Sequence, residues 1–201
     1  MPHQAAATGM TEGSFTLILE RFHSGDDAAE KELADIVYKD LRNVARRHLR
    51  GTFGDATLSP TSLVNESYMR LVSPSAQHVR TRAHFFSLAS TIMRQIVCDY
   101  ARSKLREARI IDRGLDAKDA LELMTGAIAD ANHTLTVSEA LEELFKRNER
   151  QARVAECRIF GGMTDDETAI ALELPLRTAQ REWSKARAWL GAYVKDAIDQ
   201  K

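Results

Sequence analysis

The chain has 201 residues, of which 44% are hydrophobic and 28% are charged, and its formal net charge is −1. This composition is typical of a folded protein with one medium domain or two small ones. No apolar run approaches the roughly 20 residues of a membrane span, and residues 1–13 lack the features of a signal peptide. We therefore expect a cytoplasmic protein with no membrane partner. Few glycines and prolines favour helix over sheet.

Apolar side chains at helical spacing predict four helices in the first half of the chain, after a disordered tail over residues 1–13. The first helix ends at the turn signal Gly25, and Gly51 is the predicted stop of the second. The third begins at Ser59, a residue type that caps helices, followed by a proline suited to the first helical position. A long fourth helix starts near Phe85, and its second half is basic.

The helical pattern weakens between residues 107 and 135, where glycines and acidic residues are scattered. We expect an acidic, flexible linker there, with one weak helix. Regular structure resumes at Thr136, which has the spacing of a capping box with Glu139. The predicted fold is therefore all-α, with one small helical domain over residues 14–106 and a second over residues 136–198.

The second domain ends in a short capped helix, a tight turn and a longer helix, which is the arrangement of a helix-turn-helix. The short helix opens at Thr164, which forms a capping box with Glu167. At about 100° per residue, the apolar residues of the last helix share one side. The polar residues that could reach bases and phosphates lie on the other side or flank it: Arg177, Thr178, Gln180, Arg181, Ser184 and Lys185. This pattern alone leaves an ordinary amphipathic surface helix open.

Four segments go beyond a generic helical pattern. Two segments resemble region 4 of extracytoplasmic-function (ECF) sigma factors. The first, Gln151 to Ala169, contains a Gly-Gly and a Thr-Asp-Asp-Glu motif, and the second, Arg177 to Leu190, ends in Arg-Ala-Trp-Leu. The segment Leu58 to Leu71 resembles region 2.2, and Arg82 to Arg102 resembles regions 2.3 and 2.4. The two blocks occur in order and together cover most of the chain.

The resemblance implies an alternative sigma factor, which binds the clamp and flap of core RNA polymerase and directs transcription from specific promoters. Region 4 would bind the −35 element as duplex DNA through the last helix. Region 2 would open the −10 element and hold the single strand with cationic and aromatic groups. The residues expected there are Arg80, Arg82, His84, Phe85, Arg94, Arg102 and Arg106, although one of Phe85 and Phe86 should belong to the core. An anti-sigma factor is a further partner that the family implies.

The start of the region 2.2 helix departs from the family pattern and is similar to the subgroup associated with Ser/Thr kinases. Many members carry an acidic run there that meets the polymerase clamp, whereas this chain has Ser59, a proline, Thr61 and Ser62. A phosphate on Thr61 would restore close to two negative charges in the first helical turn, where the helix dipole favours an anion. We therefore expect Thr61 to be phosphorylated by a Ser/Thr protein kinase, with Ser62 the less favoured acceptor. The polymerase contacts would be Thr61, Ser62, Leu63, Asn65 and Glu66.

Two simpler interpretations of these departures stay open. Ser59 could merely cap the helix, with Thr61 and Ser62 inert. In the helix-turn-helix, Glu173 stands where the family often has glycine, which makes the register of the last helix against bases less secure.

The sequence does not indicate a catalytic site, a metal site or a cofactor. Its six histidines are dispersed, Gly161-Gly162 lacks the lysine of a phosphate loop, and Cys98 and Cys157 suit buried thiols. An enzyme is therefore not expected. The competing functions are a stand-alone helix-turn-helix regulator, which binds duplex DNA without polymerase, and a helical adaptor whose basic faces meet only protein.

Overall fold

The computed structural model describes residues 12–49, 58–73, 79–111 and 118–199. These residues form eight α-helices: α1 (Glu12–His23), α2 (Asp27–His48), α3 (Pro60–Leu71), α4 (Arg82–Ile111), α5 (Lys118–Arg147), α6 (Glu149–Ile159), α7 (Asp165–Ala171) and α8 (Leu176–Asp199). No strand occurs in these ranges, which confirms the all-α class. None of the helices in the described part of the chain is long and apolar enough to cross a membrane. Gly51 and nearly all of the predicted N-terminal tail lie outside the described residues.

Local capping chemistry accounts for several helix ends, as predicted. Ser59 Oγ accepts a hydrogen bond of 3.0 Å from the Ser62 backbone N–H, so Ser59 caps α3. At α7 the capping box is complete: Thr164 Oγ1 accepts from the Glu167 N–H at 3.2 Å, and Glu167 Oε2 accepts from the Thr164 N–H at 2.8 Å. Gly162 follows α6 with φ +61°, a conformation that glycine adopts without strain. These interactions pair backbone groups that a helix end would otherwise leave unsatisfied.

The first core lies among α1 to α4. Its fully buried side chains include Phe15, Leu33, Leu41 and Leu63, and the Phe15 and Phe85 rings meet edge to face with centroids 5.9 Å apart. Burying each such side chain contributes about 1.5–3 kcal/mol, so the amphipathic stripes seen in the sequence hold these helices together.

The second core lies among α5, α6 and α8. Leu141 and Leu144 of α5 are buried against Ala152 of α6 and against Ala186 and Leu190 of α8. This core fixes α8 and thereby determines which of its sides faces outward.

Two expectations about secondary structure in the middle of the chain are wrong. Most of the segment 107–135, where one weak helix was expected, is helical, because α4 continues to Ile111 and α5 begins at Lys118. The assignment of this segment as a linker between domains stays a prediction. Thr136 does not start a helix: it lies inside α5, where its Oγ1 donates a hydrogen bond of 2.9 Å to the carbonyl of Asn132. A threonine can bond to the carbonyl one turn earlier without ending a helix, so the capping-box spacing was misleading here.

The N-terminal and C-terminal helices are in direct contact. Helix α4 packs against α5, α6 and α7, and the first core continues into the C-terminal helices through Cys157, Met163 and Ala171. The two helical groups expected from the sequence are therefore adjacent in space, although their division into domains stays a prediction.

Candidate nucleic-acid interface

Helix α8 presents its predicted DNA-contacting side chains away from the second core. Five of the six are exposed and Thr178 is half-buried; the exposed ones are Arg177, Gln180, Arg181, Ser184 and Lys185. On the opposite side, Ala179, Ala186 and Leu190 are buried. The two-sided character predicted for this helix is confirmed, and its contacts with DNA stay a prediction.

The turn before α8 accommodates Glu173 in an unusual backbone conformation. Glu173 has φ +52°, in the left-handed region that favours glycine. A glycine would adopt this conformation without strain. After the turn, the carbonyl of Pro175 accepts hydrogen bonds from the N–H groups of Thr178 at 2.8 Å and Ala179 at 3.0 Å, and α8 begins. The departure at Glu173 thus leaves the helix-turn-helix intact.

A buried carboxylate, which the sequence patterns missed, lies beside the exposed face of α8. Glu182 is 5% exposed, and its Oε2 accepts a hydrogen bond of 3.0 Å from Gln151 Nε2 on α6. Its Oε1 lies 3.3 Å from Arg181 Nε, 3.2 Å from Arg181 Nη2 and 4.0 Å from Lys185 Nζ. The hydrogen bond from Gln151, aided by Arg181 and Lys185, holds the pKa of Glu182 below its ordinary value, so the group is ionised at neutral pH.

Helix α3 exposes four of the five side chains predicted to contact polymerase. Thr61, Ser62, Asn65 and Glu66 are exposed, and Glu66 pairs with Arg70 one turn later at 2.8 Å. Leu63 is 0% exposed and belongs to the first core, so its assignment as a polymerase contact is corrected to a packing role. It occupies the apolar stripe of the helix, which faces inward.

The residues predicted to hold the −10 strand are divided between surface and core at the start of α4. Arg80 is exposed, while Arg82 and His84 are half-buried. Arg82 forms an ion pair with Asp40, and its guanidinium lies 5.1 Å from the centre of the Phe86 ring. Phe85 and Phe86 are both buried, so the expectation that one of them would face outward is wrong in this structure.

Further along α4, the three predicted phosphate contacts differ in accessibility. Arg102 and Arg106 are exposed, and Arg102 Nη1 lies 3.1 Å from Asp99 Oδ1. Arg94 is buried: its Nε lies 2.7 Å from Glu156 Oε1, and its Nη1 donates a hydrogen bond of 3.0 Å to Ser138 Oγ. In this arrangement Arg94 is therefore a contact between helices and does not reach the surface.

Three further contacts surround Arg94 at the junction of the N-terminal and C-terminal helices. The His48 ring stacks on Phe160 with centroids 5.2 Å apart, and its Nε2 lies 3.2 Å from Ser90 Oγ. Arg47 Nη1 donates a hydrogen bond of 2.7 Å to the carbonyl of Gly161. Burial, with the nearby charges of Arg94 and Arg47, lowers the pKa of His48 to about 3. The imidazole is thus neutral in the folded protein.

The predicted buried thiols are confirmed, since Cys98 and Cys157 are both buried and unbridged. Cys157 Sγ lies 3.3 Å from Ser87 Oγ across the same junction, and burial raises the pKa of its thiol to about 11. A thiol with so high a pKa is a poor nucleophile, so Cys157 acts as a packing residue.

Comparison with known proteins identifies the family. The family model of the ECF sigma factor matches residues 12–196, which is most of the chain. The chain belongs to the ECF sigma factor family. No curated protein gives a significant match to it. Among solved structures, the chain is similar to CnrH in a structure titled as its complex with the cytosolic domain of CnrY, with 18% identity, a TM-score of 0.39, and coverage of 90% of this chain and 97% of that chain.

Membership confirms the resemblance found in the sequence. ECF sigma factors are transcription regulators that bind core RNA polymerase and promoter DNA. This ECF sigma factor therefore needs one set of surfaces for the polymerase and another for DNA. The exposed polar side of α8 and the exposed start of α3 are two of the surfaces predicted for these partners. The kinase-associated subgroup and the individual contact residues stay predictions.

Proposed function

We propose that this ECF sigma factor is an alternative sigma factor that directs core RNA polymerase to specific promoters and is activated when a Ser/Thr protein kinase phosphorylates Thr61. The observation that carries this proposal is the first turn of α3, which contains no acidic residue and exposes the Thr61 side chain. An anti-sigma factor, a partner that membership of the family suggests, would regulate the protein in addition to the kinase.

The hydroxyl groups at this helix end are not equivalent. Ser59 Oγ caps the helix and lies 2.9 Å from Ser62 Oγ, so the Ser62 hydroxyl is already engaged. The exposed Thr61 side chain is the better target for a kinase. A phosphate there would carry close to two negative charges near the positive end of the helix dipole, which contributes about 0.3–1 kcal/mol at an exposed site. The larger gain would come from basic groups on the polymerase clamp.

The decisive test compares the affinity of unmodified and Thr61-phosphorylated protein for core RNA polymerase, followed by transcription in vitro. We expect at least tenfold tighter binding for the phosphorylated form, because two new charges meet basic partners. Thr61→Glu should recover part of this gain. Ser24→Glu is the matched control. Ser24 is exposed in the turn between α1 and α2, so the substitution adds the same charge at a different place on the surface.

Equal affinity for all four proteins would exclude the switch while leaving the sigma-factor function in place. The proposal of a sigma factor makes a separate prediction, that promoter DNA is bound mainly as holoenzyme. Tight, specific binding of duplex promoter DNA without polymerase would instead favour the stand-alone regulator.

A further inference from the structure

The buried carboxylate of Glu182 is placed to do more than fasten α8 to α6. Glutamate is seldom buried unless it is paired, and here both oxygens have partners of different kinds. Oε2 receives the amide hydrogen bond from Gln151 at 3.0 Å, which anchors the group to the adjacent helix. Oε1 faces the two cations Arg181 and Lys185, at 3.2 Å and 4.0 Å. The carboxylate thus connects the rigid interior to the exposed side chains.

The contact with Arg181 uses one edge of its guanidinium. The Nε and Nη2 groups both approach Glu182 Oε1, at 3.3 and 3.2 Å. A guanidinium is planar with five N–H donors, so holding one edge fixes the plane and leaves the Nη1 edge available. The Arg181 side chain is 63% exposed, so that edge is accessible to a ligand.

An arginine edge of this kind matches one base in particular. Guanine presents O6 and N7 side by side in the major groove, and bidentate pairing with arginine is the commonest specific contact in protein–DNA complexes. An unrestrained arginine can also move to the phosphates, which carry no sequence information directly. A restrained arginine contributes selectivity, while the nearby negative charge weakens non-specific attraction to DNA.

We infer that Glu182 is a positioning residue for recognition of the −35 element, which orients Arg181 so that its free guanidinium edge pairs with a guanine. This inference rests on the proposed function, in that α8 is taken to enter the major groove of the −35 duplex. Glu182 itself does not touch DNA. Gln151 contributes to the same positioning of Arg181, because its amide holds the Glu182 carboxylate in place.

The test is selection of duplex DNA from a library randomised across the −35 region. It uses holoenzyme assembled with whichever form of the protein is active, and the bound DNA is sequenced. The wild type should prefer guanine at one position, and Arg181→Ala should abolish that preference. Glu182→Gln should reduce the preference by roughly 5- to 20-fold, the lower part of the range of about 5- to 150-fold for a lost bidentate pair, because the pair is loosened and not removed. Its affinity for non-promoter DNA should be unchanged or higher, because a negative charge has been removed.

Two controls separate positioning from a structural role. Glu149→Gln removes an equivalent charge from α6, where Glu149 pairs with Arg153 on the surface at 2.7 Å, and it should leave the guanine preference unchanged. Glu182→Asp keeps the charge and should retain more selectivity than Glu182→Gln. Should Glu182→Gln lower affinity equally for every −35 sequence, Glu182 is structural and the inference is wrong.

The outcome is distinguishable from failure of the proposed function. If Arg181→Ala leaves the selected −35 sequence unchanged, Arg181 does not read a base and the inference fails. Transcription that depends on Thr61 phosphorylation would be unaffected by that result. Combining Glu182→Gln with Arg181→Ala should give no further loss of selectivity than Arg181→Ala alone, since both act on one contact.

Discussion

Arg94 on α4 and Glu156 on α6 form an ion pair with 2.7 Å between Nε and Oε1, at the junction of the N-terminal and C-terminal helices. Their side chains are only 10% and 6% exposed, and Ser138 Oγ accepts a second hydrogen bond from Arg94 at 3.0 Å. Two charges brought out of water together gain little net free energy, whereas one buried charge left without its partner is costly.

Breaking this pair should destabilise the protein strongly. Glu156→Gln should lower the free energy of unfolding by about 3 kcal/mol, because Arg94 would stay buried without a counter-charge. The double variant Arg94→Met with Glu156→Leu should recover most of the loss. Urea unfolding, monitored by circular dichroism, measures the free energy of unfolding of both variants. Glu149→Gln, at an exposed pair, is the control and should change little; a comparably small effect of Glu156→Gln would show that the junction is open in solution.

The stability of the protein should fall in mild acid because of His48. The unfolded chain binds a proton at His48 below its ordinary pKa of about 6.5, whereas the folded chain does so only below a pKa of about 3. The unfolded state therefore carries more protons between these values, and the free energy of unfolding decreases as the pH falls through that window.

From about pH 7.5 to about pH 5.5, we expect His48 to account for a loss of about 1 kcal/mol. The measurement is urea unfolding at both pH values for the wild type and His48→Gln, which should show a smaller pH dependence. His133→Gln, at an exposed histidine of α5, serves as control. Identical pH dependence in His48→Gln and the wild type would contradict a buried neutral imidazole.

Gly162 should be more sensitive to substitution than Gly25, although both have positive φ. An alanine Cβ at Gly162 would overlap the Arg47 guanidinium, whereas nothing lies within 4 Å of a Cβ at Gly25. Each substitution should cost about 1–2 kcal/mol of backbone strain, and Gly162→Ala about 1 kcal/mol more, because Arg47 must leave the Gly161 carbonyl. In an Arg47→Met background this excess should vanish in thermal or urea unfolding; if it persists, the clash is not with Arg47.

Substitutions of the capping residue Ser59 and of the proposed phosphorylation site Thr61 should have different effects on stability. Ser59→Ala should lower the free energy of unfolding by about 1 kcal/mol, because the Ser62 N–H loses its acceptor. Thr61→Ala should change stability by less than about 0.5 kcal/mol, as expected for an exposed residue. Urea unfolding of the unmodified proteins tests this. A large loss on Thr61→Ala would mean that its effect on polymerase binding cannot be attributed to phosphorylation alone.

Local sequence predicted those features that depend on neighbouring residues. The caps at Ser59 and Thr164 and the two-sided α8 all follow from interactions within a few positions of the chain. The continuity of α5 through Thr136 was not predictable in this way, because packing against α4 and the second core stabilises a helix whose own pattern is weak.

The burial of Arg94 could not be read from its helix. The second half of α4 is basic, which indicates a solvated or DNA-facing surface, and the compensating carboxylate of Glu156 lies 62 positions away. Glu182 was missed for a different reason. It falls between the polar and apolar sides of α8, and one of the partners that make its burial favourable, the amide of Gln151, lies on another helix 31 positions away.

The pairing of Arg94 also couples two equilibria that would otherwise be independent. One guanidinium cannot neutralise Glu156 and a DNA phosphate at the same time, so, if Arg94 contacts the −10 strand as predicted, the C-terminal helices and that strand compete for a single cation. Any partner that draws α6 away from α4 would then raise the affinity for single-stranded DNA. By thermodynamic reciprocity, bound single strand would loosen the contact between α4 and α6 by the same factor.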